Sequence, residues 1–348
     1  MLGTIGLFAL WLLAWGLSWP QARVWLASAV WWLVVLAISA PPLREVLGLS
    51  PRPASEFRFW LIFGIVLAVV LGYRQWLLQL RRKALAATPA APATAREGGF
   101  SEAERNRYAR HIMLREIGGQ GQQRLARAKV LVVGAGGLGS PVLLTLAGAG
   151  VGVIGVIDDD LVEASNLQRQ FIHTDERLGM PKVFSAEQAM KALNPFIEVR
   201  PYQRRLDEPV AAALIADYDL VLDGTDNFET RLLVNRTCAG LGKPLISGAI
   251  SQWEGQLSLY DPARGAPCYE CLFPEMPAAG LVPNCAEAGV AAPLPAVIGA
   301  MMASEAVKEI TGAGEGLRGR LMIHDALYAE TRVIRVRPRA DCPVCGGH

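Results

Sequence analysis

Two hydrophobic rhythms run along the chain. Residues 2–19 are apolar with no charged side chain, residues 24–40 form a second such run that ends at Pro41-Pro42, and residues 59–73 form a third, extended by Trp76, Leu77 and Leu78. Each comes near the roughly 20 residues a helix needs to cross a hydrocarbon core. Beyond residue 100 the apolar stretches shorten to Lys129-Val-Leu-Val-Val133, Val153-Ile-Gly-Val-Ile157, Leu220-Val-Leu222 and Pro244-Leu-Ile246. Short buried runs separated by stretches of helical character, such as residues 140–147, predict strands alternating with helices and a mainly parallel sheet.

The long runs predict a membrane region over residues 1–83 with about three transmembrane helices. Eight of the nine tryptophans (Trp11, Trp15, Trp19, Trp25, Trp31, Trp32, Trp60, Trp76) lie before residue 80, and tryptophan at the ends of apolar runs suits a membrane interface. The first run lacks the basic leader and small-residue cleavage site of a signal peptide. Two spans with an interfacial helix, and a buried soluble helix pair, are the competing readings. Arg74, Arg81, Arg82 and Lys83 follow the third run, which sets the expectation of a multi-pass inner-membrane protein with its catalytic domain facing the cytoplasm. Residues 84–100, rich in Ala, Pro and Thr, read as a flexible linker.

Charge divides the chain in the same place. Residues 1–100 carry a net +6 and residues 101–348 a net −4, so the total of +2 averages two unlike parts. The acidic balance of the larger part argues against a nucleic-acid partner, and 52% hydrophobic residues exclude a disordered chain. Residues 101–348 suffice for one large α/β domain.

The chemistry-bearing residues fall within that part. The strand at 129–133 runs into Gly134, Gly136, Gly137 and Gly139, after which a helix begins. Glycines there let the backbone approach a phosphate at the helix N-terminus. Asp158 follows Gly139 by 19 residues, at the end of the next strand, where a ribose-binding carboxylate belongs. This unit indicates a nucleotide site without separating NAD from ATP. Asp223-Gly-Thr-Asp226-Asn227 places carboxylates at another strand's C-terminal end, suited to a ligand or Mg²⁺. Cys268-Tyr-Glu-Cys271 and Cys342-Pro-Val-Cys345 are two thiolate pairs that suit a closed, structural, tetrahedral Zn²⁺ site, with a redox pair as the alternative. Cys238, in an apolar helical setting, reads as core, and Cys285 stands apart. His111, His173 and His324 have no metal-ligand spacing and read as structural. Taken singly, Arg169 or Lys182 would be a solvated charge and Asp226 a helix cap.

In order, Arg107-Tyr-Ala-Arg110-His111, the glycine turn at 134–139, Ser165-Asn166-Leu-Gln-Arg169-Gln170, Gly179-Met-Pro-Lys182, Thr225-Asp226-Asn227 and Cys285-Ala-Glu-Ala-Gly289 strongly resemble the enzymes that adenylate ubiquitin-like proteins, among them the molybdopterin-synthase and thiamine-pathway sulfur-carrier adenylyltransferases. The resemblance covers roughly residues 101–348 and none of residues 1–100. It implies a Rossmann-like α/β domain with a structural zinc site. The implied reaction joins AMP from ATP to the C-terminal glycine of a small ubiquitin-like carrier ending in Gly-Gly, with release of pyrophosphate. It further implies that Asp158 holds the ribose and that the Gly137 backbone lies against the nucleotide. Ser165 belongs to the nucleotide-binding motif of Asn166 and Arg169, and these two residues together with Lys182 contact phosphates. Asp226 binds Mg²⁺ with Asn227 beside it, and Arg110 reaches across a homodimer to the partner subunit's ATP. Cys285 matches a mobile-loop position that in some members links covalently to the carrier. Rival readings are a tRNA threonylcarbamoyl-adenosine dehydratase-like enzyme, an NAD-dependent oxidoreductase and a non-catalytic membrane scaffold.

Overall fold

The computed structural model describes residues 21–46, 48, 54–87, 99–274 and 289–346. The chain divides into two compact units, Met1–Ala90 and Ala91–His348. In the first unit, helices α1 (Gln21–Ser39), α2 (Pro41–Val46) and α3 (Ala54–Ala87) are described. The Trp32 indole Nε1–H donates to the Trp60 carbonyl at 3.2 Å. A side chain at Gly64 would collide with the Trp32 ring, so the α1–α3 crossing depends on that glycine.

Among the described residues no helix is long and apolar enough to cross a membrane. This corrects the expected multi-pass inner-membrane location and the expectation that the apolar runs at 24–40 and 59–73 are membrane-spanning helices. The charge-free part of α1 starts after Arg23 and ends with the helix at Ser39, about 24 Å of helix at 1.5 Å per residue. In α3 the charge-free stretch between Arg58 and Arg74 gives about 22 Å, against the roughly 30 Å of a hydrocarbon core. The apolar run at residues 2–19 lies outside the described residues. Of the expected linker, residues 84–87 belong to α3 and residues 88–98 lie outside the described residues.

The second unit opens with α4 (Glu102–Ile112). Its N-terminus is closed by a reciprocal cap, in which Ser101 Oγ accepts from the Glu104 N–H and Glu104 accepts from the Ser101 N–H. Helix α5 (Gly118–Arg127) follows. Next come β1 (Lys129–Val133), α6 (Gly139–Ala149), β2 (Val153–Ile157), α7 (Lys182–Leu193), β3 (Glu198–Tyr202), α8 (Glu208–Ala216), β4 (Leu220–Asp223) and α9 (Phe228–Gly240). The chain then forms β5 (Leu245–Ser251), β6 (Glu254–Tyr260), the short α10 (Tyr269–Leu272), α11 (Leu294–Thr311), β7 (Arg320–Asp325) and β8 (Glu330–Arg335).

Among the described residues eight strands join one sheet in the order β3-β2-β1-β4-β5-β6-β7-β8. Strands β3 to β5 pair in parallel, as the alternating pattern predicts, and the order reverses direction at β1. The remaining three pairings, from β5 to β8, are antiparallel, which the sequence reading did not foresee. The central strands are buried on both faces. Val130 and Val132 of β1 pack in one core with Leu143 and Leu146 of α6 and Met302 of α11, whereas Leu131 and Val133 pack in a second with Ile215 and Val234 on the opposite side. The β1/β4 switch point that this winding creates lies at the C-terminal ends of β1, β2 and β4, where a doubly wound sheet places its ligand crevice.

Candidate functional site

The glycine turn leaves β1 at Gly134, whose φ of +92° is open to glycine at little cost. A Cβ at Gly139 would collide with the Gly134 carbonyl oxygen, so the first turn of α6 can close over the strand end only with glycine there. Three segments enclose this turn. On one side a Cβ at Gly136 would lie 3.7 Å from Gln170 Nε2, and one at Gly137 would lie 4.0 Å from Arg169 Cδ and 3.4 Å from Pro295 Cβ. On the other side Gly224 approaches Leu138 and the Gly139 nitrogen, and Thr225 lies against Gly134. The fold thus brings together the glycine turn, the 165–170 segment and the 223–227 turn, which lie far apart in sequence.

Asp158 is fixed by backbone donors. Its Oδ2 accepts from the Ala135 N–H at 2.7 Å and its Oδ1 from the Asp160 N–H at 2.8 Å. Burial pushes its carboxyl above the usual range, while the Lys182 ammonium and these two N–H groups act in the opposite direction. A carboxylate offers about four acceptor positions, so Asp158 keeps capacity for a hydroxyl pair. Lys182 starts α7 with its side chain 5% exposed, and its Nζ lies 2.6 Å from Asp160 Oδ2. Arg169 folds back on its own turn, donating to the Ser165 carbonyl and to Asn166 Oδ1, each at 3.2 Å. Ser165, Asn166 and Arg169 are therefore one local cluster beside the glycines.

The carboxylates after β4 divide into two roles. Asp223 is fully buried and accepts from the Thr225 N–H at 3.0 Å, the Thr225 hydroxyl at 2.7 Å and the Ser247 hydroxyl at 2.8 Å. Arg231 donates to Ser247 Oγ and to the Thr225 carbonyl beneath the same turn. Asp223 is thereby spent on shaping the turn. The cap of α9 is Asn227, whose Oδ1 accepts from the Thr230 N–H at 3.1 Å. Asp226 is exposed, and its carboxylate takes no hydrogen bond from a described residue. The capping role weighed for Asp226 thus falls to its neighbour, and the one carboxylate on this turn left available to a cation is Asp226.

Arg110 is exposed near the end of α4 and makes no contact with this cluster among the described residues. Cys285 lies outside the described residues. The sequence assigns no role to Asp160 or Arg231 and only a structural one to His173. Asp160 stands two residues after Asp158 in a run of three aspartates, Arg231 lies one helical turn after Asn227, and the buried setting of His173 has no sequence signature.

The paired cysteines converge from segments 74 residues apart: Cys268 Sγ lies 3.5 Å from Cys342 Sγ and Cys271 Sγ lies 3.3 Å from Cys345 Sγ. All four sulfurs fall within 4.8 Å of one another and are buried. Tetrahedral Zn–S bonds of about 2.3 Å separate sulfurs by about 3.8 Å, so the set fits such an ion. The backbone N–H of Arg339 points at Cys271 Sγ at 3.4 Å, the kind of donor that supports a ligating thiolate. Cys238 is buried in the core, and burial pushes its thiol up. A groove of about 660 Å³ along α8 and α9, lined by Glu208, Glu229, Leu232, Arg236 and their neighbours, holds none of the cluster around the glycine turn.

Against known proteins, the ThiF family model matches residues 108–344. Over 251 residues the chain is 49% identical to the sulfur carrier protein adenylyltransferase of Thermus thermophilus, covering 71% of this chain and 93% of that one. It is 46% identical over 241 residues to the SAMP-activating enzyme E1 of Haloferax volcanii, covering 69% and 88% of the two chains. Among solved structures, E. coli MccB with ATP superposes with a TM-score of 0.61 at 23% identity, covering 72% of this chain and 77% of that one, a likeness of fold. The chain belongs to the ThiF family.

Proposed function

We propose that residues 101–348 form an adenylyltransferase domain. It activates the C-terminal glycine of a small ubiquitin-like carrier with ATP and releases pyrophosphate. The observation that carries this reading is the 49% identity to a sulfur carrier protein adenylyltransferase over 93% of its length. The cluster around Gly134, Asp158, Arg169, Lys182 and Asp226 supports it. A carboxylate is already ionised at neutral pH, so the reaction needs alignment and charge neutralisation more than a base.

In this reading Asp158 receives the ribose hydroxyls, and the backbone of Gly134, Gly136, Gly137 and Gly139 lies along the nucleotide. Asn166, Arg169 and Lys182 face the phosphates, with Ser165 holding Arg169 through its carbonyl. Asp226, with Asn227 beside it, would hold Mg²⁺ through its exposed carboxylate. When bound, the Mg²⁺ supplies charge neutralisation at the triphosphate. Lys182 must share its three donors between Asp160 and phosphate, so Asp160 keeps the ammonium aimed at the strand ends before ATP arrives. Arg110 acts across a homodimer on the partner subunit's nucleotide, and Cys285 is the thiol to which the adenylated carrier carboxylate would pass, with AMP leaving as the thioester forms. Cys268, Cys271, Cys342 and Cys345 hold a structural Zn²⁺.

Carrier-dependent exchange of radiolabelled pyrophosphate into ATP tests the proposal. The full chain is expected to exchange label with a Gly-Gly carrier and to lose at least about a hundredfold of that rate in Asp226→Ala, with the melting temperature unchanged, as for an exposed side chain. Exchange that is equal in Asp226→Ala, or absent with every Gly-Gly carrier tested, overturns it.

A further inference from the structure

His173 lies in neither the cysteine cluster nor the set of residues assigned to the nucleotide, yet it is 5% exposed and both ring nitrogens are engaged. Nε2 lies 3.0 Å from the Ala135 carbonyl oxygen and Nδ1 lies 2.9 Å from Ser185 Oγ. A carbonyl can only accept, so Nε2 carries the proton. Burial, with Lys182 and Arg177 nearby, lowers the imidazole pKa to about 4, so the ring is neutral and Nδ1 accepts from the Ser185 hydroxyl. Ser185 itself is fully buried on α7, three residues after Lys182, and its carbonyl accepts from Arg177.

The residue that His173 holds is the first of the glycine turn's interior. The N–H of Ala135 is taken by Asp158, and its C=O accepts from His173 at 3.0 Å, with the Ser140 hydroxyl a second and longer donor at 3.5 Å. The peptide bonds here are trans, and across a trans peptide the C=O and the following N–H point in opposite directions. Pinning the Ala135 carbonyl into the interior therefore turns the Gly136 N–H outward. Among the described residues that N–H has no acceptor.

We propose that His173 is a positioning residue for nucleotide binding, setting the Ala135–Gly136 peptide plane so that the Gly136 N–H is presented to a phosphate oxygen, and tying that plane through Ser185 to the helix that carries Lys182. The inference rests on the adenylyltransferase reading. It assigns the exposed donor to Gly136 and makes the buried ring its aiming device.

Direct binding of ATP·Mg²⁺ to the full chain, measured by calorimetry, tests this without any carrier. In His173→Gln the amide nitrogen takes the place of Nε2 and can still donate to Ala135. In His173→Asn the shorter amide reaches only the Nδ1 position and leaves the carbonyl with only the long contact from the Ser140 hydroxyl at 3.5 Å. His173→Asn is expected to bind ATP at least about tenfold more weakly, His173→Gln within about twofold of the parent, and the two to melt within a few degrees of each other. Equal affinity in His173→Asn and the parent, or equal losses in both variants, overturns the proposal. If His173→Asn fails to fold, His173→Gln decides alone: a loss above tenfold at unchanged melting temperature refutes it. A parent chain that does not bind ATP removes this inference together with the adenylyltransferase reading, whereas a parent that binds ATP but activates no carrier removes only the latter.

Discussion

The Arg236 guanidinium grips the Glu270 carboxylate with two hydrogen bonds, Nε to Oε1 at 2.9 Å and Nη2 to Oε2 at 3.0 Å. Glu270 lies between the first two cysteines of the four-cysteine cluster and is 4% exposed, whereas Arg236 lies on α9. Asn235 adds a third bond to the same carboxylate and accepts from the Tyr269 N–H at 2.8 Å. The cysteine cluster is thus fastened to the helix whose N-terminal end carries Asp226. Replacing Glu270 with Ala leaves the buried Asn235 amide nitrogen without its acceptor, while the Asn235 bond to the Tyr269 N–H can persist and the Arg236 head can hydrate. Loss of such charge-assisted bonds costs on the order of 1–3 kcal/mol. Denaturant titration of Glu270→Ala should show a destabilisation in that range, and Arg236→Ala one at least as large, because it leaves the buried Glu270 carboxylate with Asn235 alone. A Glu270→Ala chain as stable as the parent would mean that the pair contributes nothing.

The cysteine cluster ties the segment ending at Gly346 to the body of the domain across 74 residues. If it holds Zn²⁺, the purified chain should carry one equivalent by atomic absorption. Chelation should lower the melting temperature, because metal binding free energy is folding free energy. Cys342→Ser should reduce the metal content and reproduce the chelated melting curve. A full-length chain purified under reducing conditions with no bound metal, melting at the same temperature with and without chelator, would leave the four thiols as core residues.

The glycine turn separates two substitutions that look alike in sequence. At Gly139 an added methyl would overlap the Gly134 carbonyl oxygen, which is backbone and cannot rotate away. At Gly137 the nearest atom is Pro295 Cβ at 3.4 Å. Gly139→Ala is expected to destabilise by about 1–3 kcal/mol as the helix start shifts and to lose ATP binding with it. Gly137→Ala should change stability little and weaken ATP binding alone, because its methyl would occupy the space through which the backbone approaches the ligand. Parallel melting and ATP titrations check the pair, and equal destabilisation in both would contradict this geometry.

The parallel half of the fold could be read from residues: β1 and β2 occupy the runs at 129–133 and 153–157, and α6 begins one residue before the expected start. Those elements are buried on both faces, so their hydrophobic runs are unbroken. The antiparallel half was not legible, because β7 is half-buried along its length and β8 exposed along its length, and neither has the alternation that marks a strand with one buried face. In the candidate site the sequence pattern marks the glycines and Asp158, which the fold brings together, and elsewhere the paired cysteines, which converge. Asp223 and Asp226 look equivalent in the sequence, and only the hydroxyls of Thr225 and Ser247, the latter supplied by β5, show which of them is consumed by the fold. The apolar runs in residues 24–40 and 59–73 misled because hydropathy reports composition, whereas crossing a membrane also requires uninterrupted helical length.

His173 also supplies a pH signature. Its imidazole titrates near 6.5 when exposed and at about 4 in the fold. Between those values the unfolded chain binds a proton that the native chain refuses. The sign follows from linkage: stability is indifferent to this group above about pH 6.5, falls as the pH drops from 6.5 towards 4, and has lost the full amount below 4. At pH 5 the loss comes to about 2 kcal/mol at 1.36 kcal/mol per pKa unit. Carboxylates titrate over part of the same range, so the measurement is a difference. Unfolding free energies of the parent and His173→Gln at pH 7.5 and pH 5 should diverge by about 2 kcal/mol, with the parent losing more on acidification. Parallel pH dependences in the two chains would show that His173 accepts its proton in the folded state as readily as in the unfolded one, and that the neutral ring assigned between Ala135 and Ser185 is wrong.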